Sequence, residues 1–293
     1  MSDTFFTSSP HWRWLIVLYF FIGGIAGGAF VIASLLHLFG RIEDRPVVRH
    51  GYNVAFLGAL VSGLLLTIDL SRPLRFWHML IRSNVGALMF KSWSPMSVGA
   101  WGLLLFGLFA TLAALGQRSV RPLGEGVLAK IIAAIGGLLG FFLAGYTGVL
   151  LAVTNRPMWA DTQWLGLLFL LSGISTAAAT LILLSLWRRD AGAGTLSWLT
   201  RFDRAALVLE LVILVVFVIS LGSVARMLVG FWGLVLLLGV VVFGIVIPFV
   251  QEKGVPTMGP AVLVLIGGLL LRFAIVFSSD QFSRIVRSGG GGP

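Results

Sequence analysis

Long apolar runs alternate along the chain with short polar interruptions, and eight of the runs approach the twenty residues that a helix needs to cross a bilayer. They fall at about Arg13–Gly40, Tyr52–Leu70, Ser94–Gln117, Leu128–Val153, Gln163–Trp187, Arg204–Leu221, Leu228–Val250 and Pro260–Phe277, each bounded by polar, proline or glycine positions. Inside lipid no water satisfies an open backbone, so each run is expected to be helical. The predicted fold is an all-α integral membrane protein with eight transmembrane helices. The connections are short, the longest running from Ser71 to Trp93, and none has room for a soluble domain. An even number of spans places both termini on one face.

A faint repeat divides the spans. "GGLLGFFLAGYTG", starting at Gly136, and "GGLLLRFAIVFSS", starting at Gly267, share their opening and set Tyr146 opposite Phe277. This predicts two four-helix bundles, 13–153 and 163–277. A segment 1–12 precedes them and a tail 278–293 follows, whose final Ser-Gly-Gly-Gly-Gly-Pro reads as disordered.

Composition agrees with the pattern. Of 293 residues, 58% are hydrophobic and 11% charged, against about 25% charged in a soluble globule. The 37 glycines suit helices that approach closely in lipid. The net charge of +10 comes from arginines lying mostly between the runs. The lipid bilayer, with its anionic headgroups, is therefore the expected counterpart, and nucleic acid is not. With 0 cysteines the protein forms no disulfide and ligates no iron–sulfur cluster through thiolates. No basic leader opens the sequence, and the first run is too long for a cleavable signal. Leaving Arg272 aside as within a span, 9 Lys and Arg fall on the terminus face and 11 on the other. That excess weakly favours termini outside.

Polar residues converge on the terminus face. Asp69 and Arg72 close span two, Lys91 and Ser94 open span three, and Tyr146, Thr147 and Arg156 lie toward the end of span four. Tyr19 and Tyr146 lie deeper than an interfacial belt, whereas Trp12, Trp14, Trp77 and Trp159 read as belt residues. A carboxylate within a span is costly and usually pairs or functions. Arg72, three residues on, can share the helix face of Asp69, either as a structural pair or as one that also serves a site. Pro73 suits a first helical turn, with Leu74, Trp77, Leu80 and Ile81 on one face, as in a short helix lying in the interface. It carries His78, which either passes protons at the surface or is simply solvated.

A pocket of this kind suits a quinone: aromatic walls, hydrogen-bond partners near the membrane edge and a titratable group for protons. Gly23, Gly24, Gly27 and Gly28 permit the close packing around it. The 4 histidines, His11, His37, His50 and His78, all lie near span ends without a facing pair at matched depth, so no haem is expected. No cluster of histidines and carboxylates suggests a metal. Glu210, two turns into span six, and Arg272, midway along span eight, are either steps of a proton path or bland residues. In the bland case Glu210 snorkels to the interface and Arg272 braces the bundles through backbone carbonyls.

"YFFIGGIAGGAF" (Tyr19–Phe30), "LTIDLSRPLRFWHML" (Leu66–Leu80), "FKSWSPMSVGAWGL" (Phe90–Leu103), "GYTGVLLAVTNRPMW" (Gly145–Trp159) and "GGLLLRFAIV" (Gly267–Val276) resemble the NrfD/PsrC family of polysulfide-reductase-like membrane subunits. The resemblance runs in order over spans one to four and returns in span eight. It implies a haem-free quinol-binding subunit of the bacterial inner membrane with periplasmic termini. It also implies two four-helix bundles, and a quinone site near the outer face of the first. The implied partner is an iron–sulfur subunit on that face, often beside a molybdopterin catalytic subunit. The family's quinone positions fall on the Tyr19 region, Asp69 and Tyr146.

The reading is a membrane subunit that binds menaquinone or ubiquinone and exchanges electrons with an iron–sulfur partner in either direction. Tyr146, with Tyr19 and Thr147, holds the headgroup. Asp69 takes or relays its proton beside Arg72, and His78 helps the proton leave. Two rivals stay open. A secondary transporter is motivated by the repeat and by Glu210 and Arg272, and a passive anchor of a peripheral enzyme would make Asp69 structural. The terminal substrate belongs to partners outside this protein.

Overall fold

The computed structural model describes residues 14–70, 72–82, 87–117, 126–154, 156, 158–228, 230–251 and 256–289. Long helices dominate: α1 Trp14–Phe39, α2 Arg45–Asp69, α3 Pro95–Gly116, α4 Val127–Ala152, α5 Leu165–Arg188 and α6 Ala193–Ser220. A 3-10 stretch, Gly222–Leu228, leads to α7 Phe231–Leu234, a π-helical stretch Val235–Val246 and α8 Ile247–Gln251, which together make one span. Helix α9, Met258–Gly289, ends the described residues. Seven of these spans are long and apolar enough to cross a membrane. The remaining long helix is α6, which carries Arg201, Asp203, Arg204 and Glu210 and is not among the seven.

Two helices start earlier than their apolar runs. Helix α2 begins at Arg45 rather than Tyr52, with Pro46 in its first turn, and α6 begins at Ala193 rather than Arg204. Hydropathy marks only what is apolar, whereas backbone hydrogen bonding continues through a charged turn once the helix is nucleated. Between α2 and α3 the expected short helix is a 3-10 helix, Pro73–Met79. Behind it an unanticipated ribbon pairs β1 (Ile81–Arg82) with β2 (Ala87–Leu88) antiparallel, Ile81 opposite Leu88. Two-residue strands are too short to leave a period in the sequence.

Helix α1 packs on α2, α4, α5 and α9, and α3 packs between α2 and α4. Helix α5 also packs on α6 and α9, and α9 on the Phe231–Gln251 span. Lipid gives helices no hydrophobic reason to associate, so close backbone approach must hold them. A Cβ on Gly28 would lie 2.6 Å from the Gly173 carbonyl oxygen and 2.7 Å from the Ala177 Cβ, and one on Gly140 would lie 2.7 Å from the Gly27 oxygen. The repeat glycines sit alike: Gly137 of α4 faces Ser34 of α1, and Gly268 of α9 faces Thr176 of α5.

At the end away from the termini, polar bonds tie the first and second halves of the protein. His50 Nε2 lies 2.7 Å from Asp190 Oδ2, and Thr195 Oγ1 donates to Asp44 Oδ1 at 2.6 Å. His37 Nδ1 is 2.8 Å from the Tyr52 hydroxyl. Trp14 and Trp77 are exposed, as belt residues would be. Trp159 is not: it is 0% exposed, and its Nε1 donates to the Ile275 carbonyl at 2.9 Å. The α4–α5 connection folds it inward onto α9, which local sequence cannot reveal. Trp12 and His11 lie outside the described residues.

Gly28→Val should overpack the α1–α5 contact and cost about 1–3 kcal/mol. The check is thermal unfolding in detergent, where the variant should melt measurably earlier than the parent. An unchanged midpoint would mean that the two helices do not touch there.

Candidate functional site

Tyr146 stands six residues before the end of α4 and Tyr19 five residues after the start of α1. At about 1.5 Å per residue, each is roughly 8–9 Å along its helix from the terminus face. Tyr19 is 2% exposed and Tyr146 7%. Both are buried at matched depth on α1 and α4, which pack together in the first half of the protein.

The Ser-Pro-Met-Ser motif has a local explanation. Ser94 caps α3 by accepting from the Ser97 amide, and Pro95 occupies the first turn, where its missing N–H costs nothing. Ser97 Oγ accepts from the Lys91 amide at 3.1 Å, and Trp101 Nε1 donates to the Met89 carbonyl at 3.0 Å. The loop before α3 is thus pinned to its first two turns. The Pro95 carbonyl then accepts the Tyr146 hydroxyl at 2.6 Å. Beneath the ring lies Gly99, whose absent side chain leaves the space that the phenol fills, and Gly102 does the same for Phe142. Phe142 and Tyr146 are stacked with centroids 5.3 Å apart.

Helix α2 supplies the other wall. A Cβ on Gly23 would lie 3.6 Å from both Ser62 Oγ and the Tyr19 ring, so these three residues share one locus. Ser62 is fully buried, and its hydroxyl has no partner among the described residues. Asp69 lies two turns further on, on the same side of α2, and its Oδ1 is likewise buried without a partner among the described residues. A buried acceptor left unpaired is expensive and demands an explanation.

The other expected site residues sit apart. Arg72 is exposed and forms no ion pair with Asp69 among the described residues. Helix α2 ends at Asp69 and Leu70 turns extended, with ψ 134°, so Arg72 no longer shares its helical face. The His78 ring lies tilted against Trp77 with centroids 3.8 Å apart, and its Nδ1 lies 3.2 Å from the Arg75 carbonyl. Thr147 is fully buried but returns its hydroxyl to the Ala144 carbonyl at 3.2 Å. Sequence reading missed Ser62, Gly99 and the Pro95 carbonyl. The pair Gly99 and Gly102, three apart on one face of span three, was the available signal for a ring packed against that face.

The polysulphide reductase NrfD family model matches residues 3–283, nearly the whole sequence. The protein belongs to this family. Among its relatives, NrfD of Escherichia coli is 30% identical over 322 residues, covering 95% of this protein and 98% of that one. One of the polypeptides of the polysulfide reductase of Wolinella succinogenes is 28% identical over 309 residues, covering 92% of this protein and 95% of that one. A selenate reductase subunit from Mesobacillus selenatarsenatis is 27% identical over 112 residues, 38% of this protein and 24% of its own length. Seven apolar spans and membership of the NrfD family make this a multi-pass membrane protein, of a kind whose relatives are subunits of reductases.

Within this NrfD-family protein, Gly99→Ala would place a methyl group where the Tyr146 ring stands. The expected loss is about 1–3 kcal/mol, read as a lower melting midpoint in detergent. A variant as stable as the parent would show that Tyr146 is not wedged against α3.

Proposed function

We propose that this protein is the quinone-reactive membrane subunit of a bacterial respiratory oxidoreductase, exchanging electrons with an iron–sulfur subunit. The observation that carries the reading is the buried, unpartnered Asp69 Oδ1, on the same side of α2 as the unpartnered Ser62 hydroxyl that shares the Gly23 locus with Tyr19. A carboxylate oxygen can accept from a quinol hydroxyl, and Ser62 and Tyr19 can donate to a carbonyl, so the residues present fit such a headgroup. A quinone supplies two-electron, two-proton chemistry when bound.

The protein's own part is to bind, orient and move protons. Tyr146, held by Pro95, keeps the wall between α3 and α4 rigid. Asp69 accepts a proton at its buried oxygen and, standing at the end of its helix, releases it toward the terminus face. Arg72 and His78 lie on that path at the surface, where His78 can pass the proton to water. Thr147, with its hydroxyl returned to the Ala144 carbonyl, shapes α4 beside Tyr146. In this reading α6 is an eighth membrane span, and α1–α4 and α5–α9 are two four-helix bundles fused along α1 and α5. Both termini face the periplasm across the inner membrane, and the iron–sulfur subunit docks on that face, with a molybdopterin subunit beyond it. The two histidines within long helices, His37 and His50, are engaged by Tyr52 and Asp190, in keeping with a haem-free protein. Electron flow runs to or from menaquinone or ubiquinone according to the partner's couple.

The test is turnover of a quinol analogue by the purified complex. Asp69→Asn keeps the shape and removes the proton acceptor, so turnover should fall on the order of 100-fold, with affinity for a quinone-site inhibitor nearly unchanged. Tyr146→Phe should assemble normally and turn over more slowly, since only the tether to Pro95 is lost. Undiminished turnover in Asp69→Asn would remove the carboxylate from the mechanism. Disappearance of that variant from the membrane would make Asp69 structural.

A further inference from the structure

A second buried polar group sits between the two halves of the protein. Glu210 of α6 is 3% exposed and Arg272 of α9 is 0%. Because α6 starts at Ala193, Glu210 is seventeen residues into the helix, roughly 25 Å along it and ten residues from its end at Ser220. Buried and bonded to α5, its carboxylate does not snorkel to an interface. Ser175 Oγ of α5 donates to Glu210 Oε2 at 2.8 Å and to the carbonyl of Ser172, one turn earlier, at 3.2 Å. Arg272 Nη1 donates to Ser172 Oγ at 3.1 Å and to the Gly268 carbonyl at 2.6 Å. Its Nε donates to the Phe20 carbonyl at 3.2 Å. Phe20 adjoins Tyr19, their rings 5.5 Å apart. The string therefore runs from α6 through α5 and α9 to α1, one residue from the candidate site.

Two features do not suit a simple brace. Glu210 and Arg272 interact electrostatically, yet serines stand between them and no direct ion pair forms among the described residues. Arg272 Nη2 is buried without a hydrogen-bond partner among the described residues, with the guanidinium over the Phe21 and Phe169 rings, and a Cβ on Gly24 would lie only 2.9 Å away. A buried pair chosen for stability would close the gap, since charges held apart in a low dielectric recover little of their desolvation cost. Serine hydroxyls can donate to a carboxylate and can accept from a carboxylic acid, so the same cage tolerates both states of Glu210. Asp203 is wholly buried two turns earlier on the same face of α6, toward the end away from the termini.

We propose that Glu210 is a proton-carrying residue of the second half of the protein, filled from the Asp203 side and linked to the tyrosine site through Ser172, Arg272 and the Phe20 carbonyl. The carboxylate takes one proton from water to become the neutral acid and returns it later. No electron moves and no other bond breaks. Around Glu210 the charged groups are Arg272 from α9 and Asp203 on its own helix. Helix α5 presents Ser172 and Ser175, and the Phe231–Gln251 span has no titratable residue. Arg272 is a positioning residue, holding α1 by the carbonyl next to Tyr19. Only the coupling of this proton to turnover rests on the quinone reading.

The purified complex is treated with dicyclohexylcarbodiimide, which modifies protonated carboxyls in apolar surroundings, and the site is read by mass spectrometry. Glu210 should be labelled, less so as pH rises, and Glu210→Gln should lose the label. Ser175→Ala removes a bond to the charged form, so labelling should persist to higher pH. A merely structural serine would leave that profile in place, and its invariance overturns the cage. Absence of Glu210 labelling at every pH overturns the proton site. Infrared difference spectra on adding a quinol analogue should contain a protonated carboxyl band that Glu210→Gln abolishes. A band that survives, or none in the parent, overturns the coupling. Failure of the quinone reading has its own signature: no inhibitor-sensitive quinol oxidation by the parent, with labelling unaffected.

Discussion

Helix α1 touches α2, α4, α5 and α9, and backbone-to-backbone approach is what makes this possible. Gly27 lies against Gly140 on one side and Gly28 against Gly173 on another. In lipid the association of helices rests on dispersion and hydrogen bonding, both of which fall off within an ångström or so of ideal contact. The glycine face of α1 is therefore the constraint on which the rest depends. Were α1 held further out, the Phe20 carbonyl would not reach Arg272, and Tyr19 would leave the neighbourhood of Ser62 and Tyr146.

That packing leaves the first half of the protein polar at both ends and sealed in the middle. Tyr19, Ser62, Asp69 and Tyr146 gather toward the terminus face. His37 and Tyr52 bond to each other toward the other. Between them Phe30 packs on Tyr52 and Phe106, with centroids 4.9 and 5.7 Å apart, and fills the space left by Gly136. The second half differs, since Asp203, Glu210, the α5 serines and Arg272 carry polar character along its interior. These are the groups that the proposed proton site uses.

The NrfD-like motifs gain physical content in this frame. Ser-Pro-Met-Ser is a helix cap whose proline carbonyl anchors a tyrosine from the next helix. The glycine run of α1 is a packing face and not a hinge. Trp159, which reads as one more interfacial aromatic, is instead a bolt from the α4–α5 connection into α9. Arg272 does bind backbone carbonyls, as one sequence reading has it, but it also bonds the Ser172 hydroxyl, one turn from the Ser175 that holds Glu210.

Amino-acid order alone determined the helices and their membrane character, because lipid leaves the backbone no other way to satisfy its hydrogen bonds. It also located two deep tyrosines and an acid at one end, since depth along a helix is a count of residues. What it could not determine was which polar groups meet. Arg72 follows Asp69 by three residues and ends outside its reach, because Leu70 leaves the helix. Phe20 and Arg272 are 252 residues apart and share a hydrogen bond. Such pairings depend on the rotation of each helix about its axis and on its distance from its neighbours, and glycines facing glycines across α1, α4 and α5 set both.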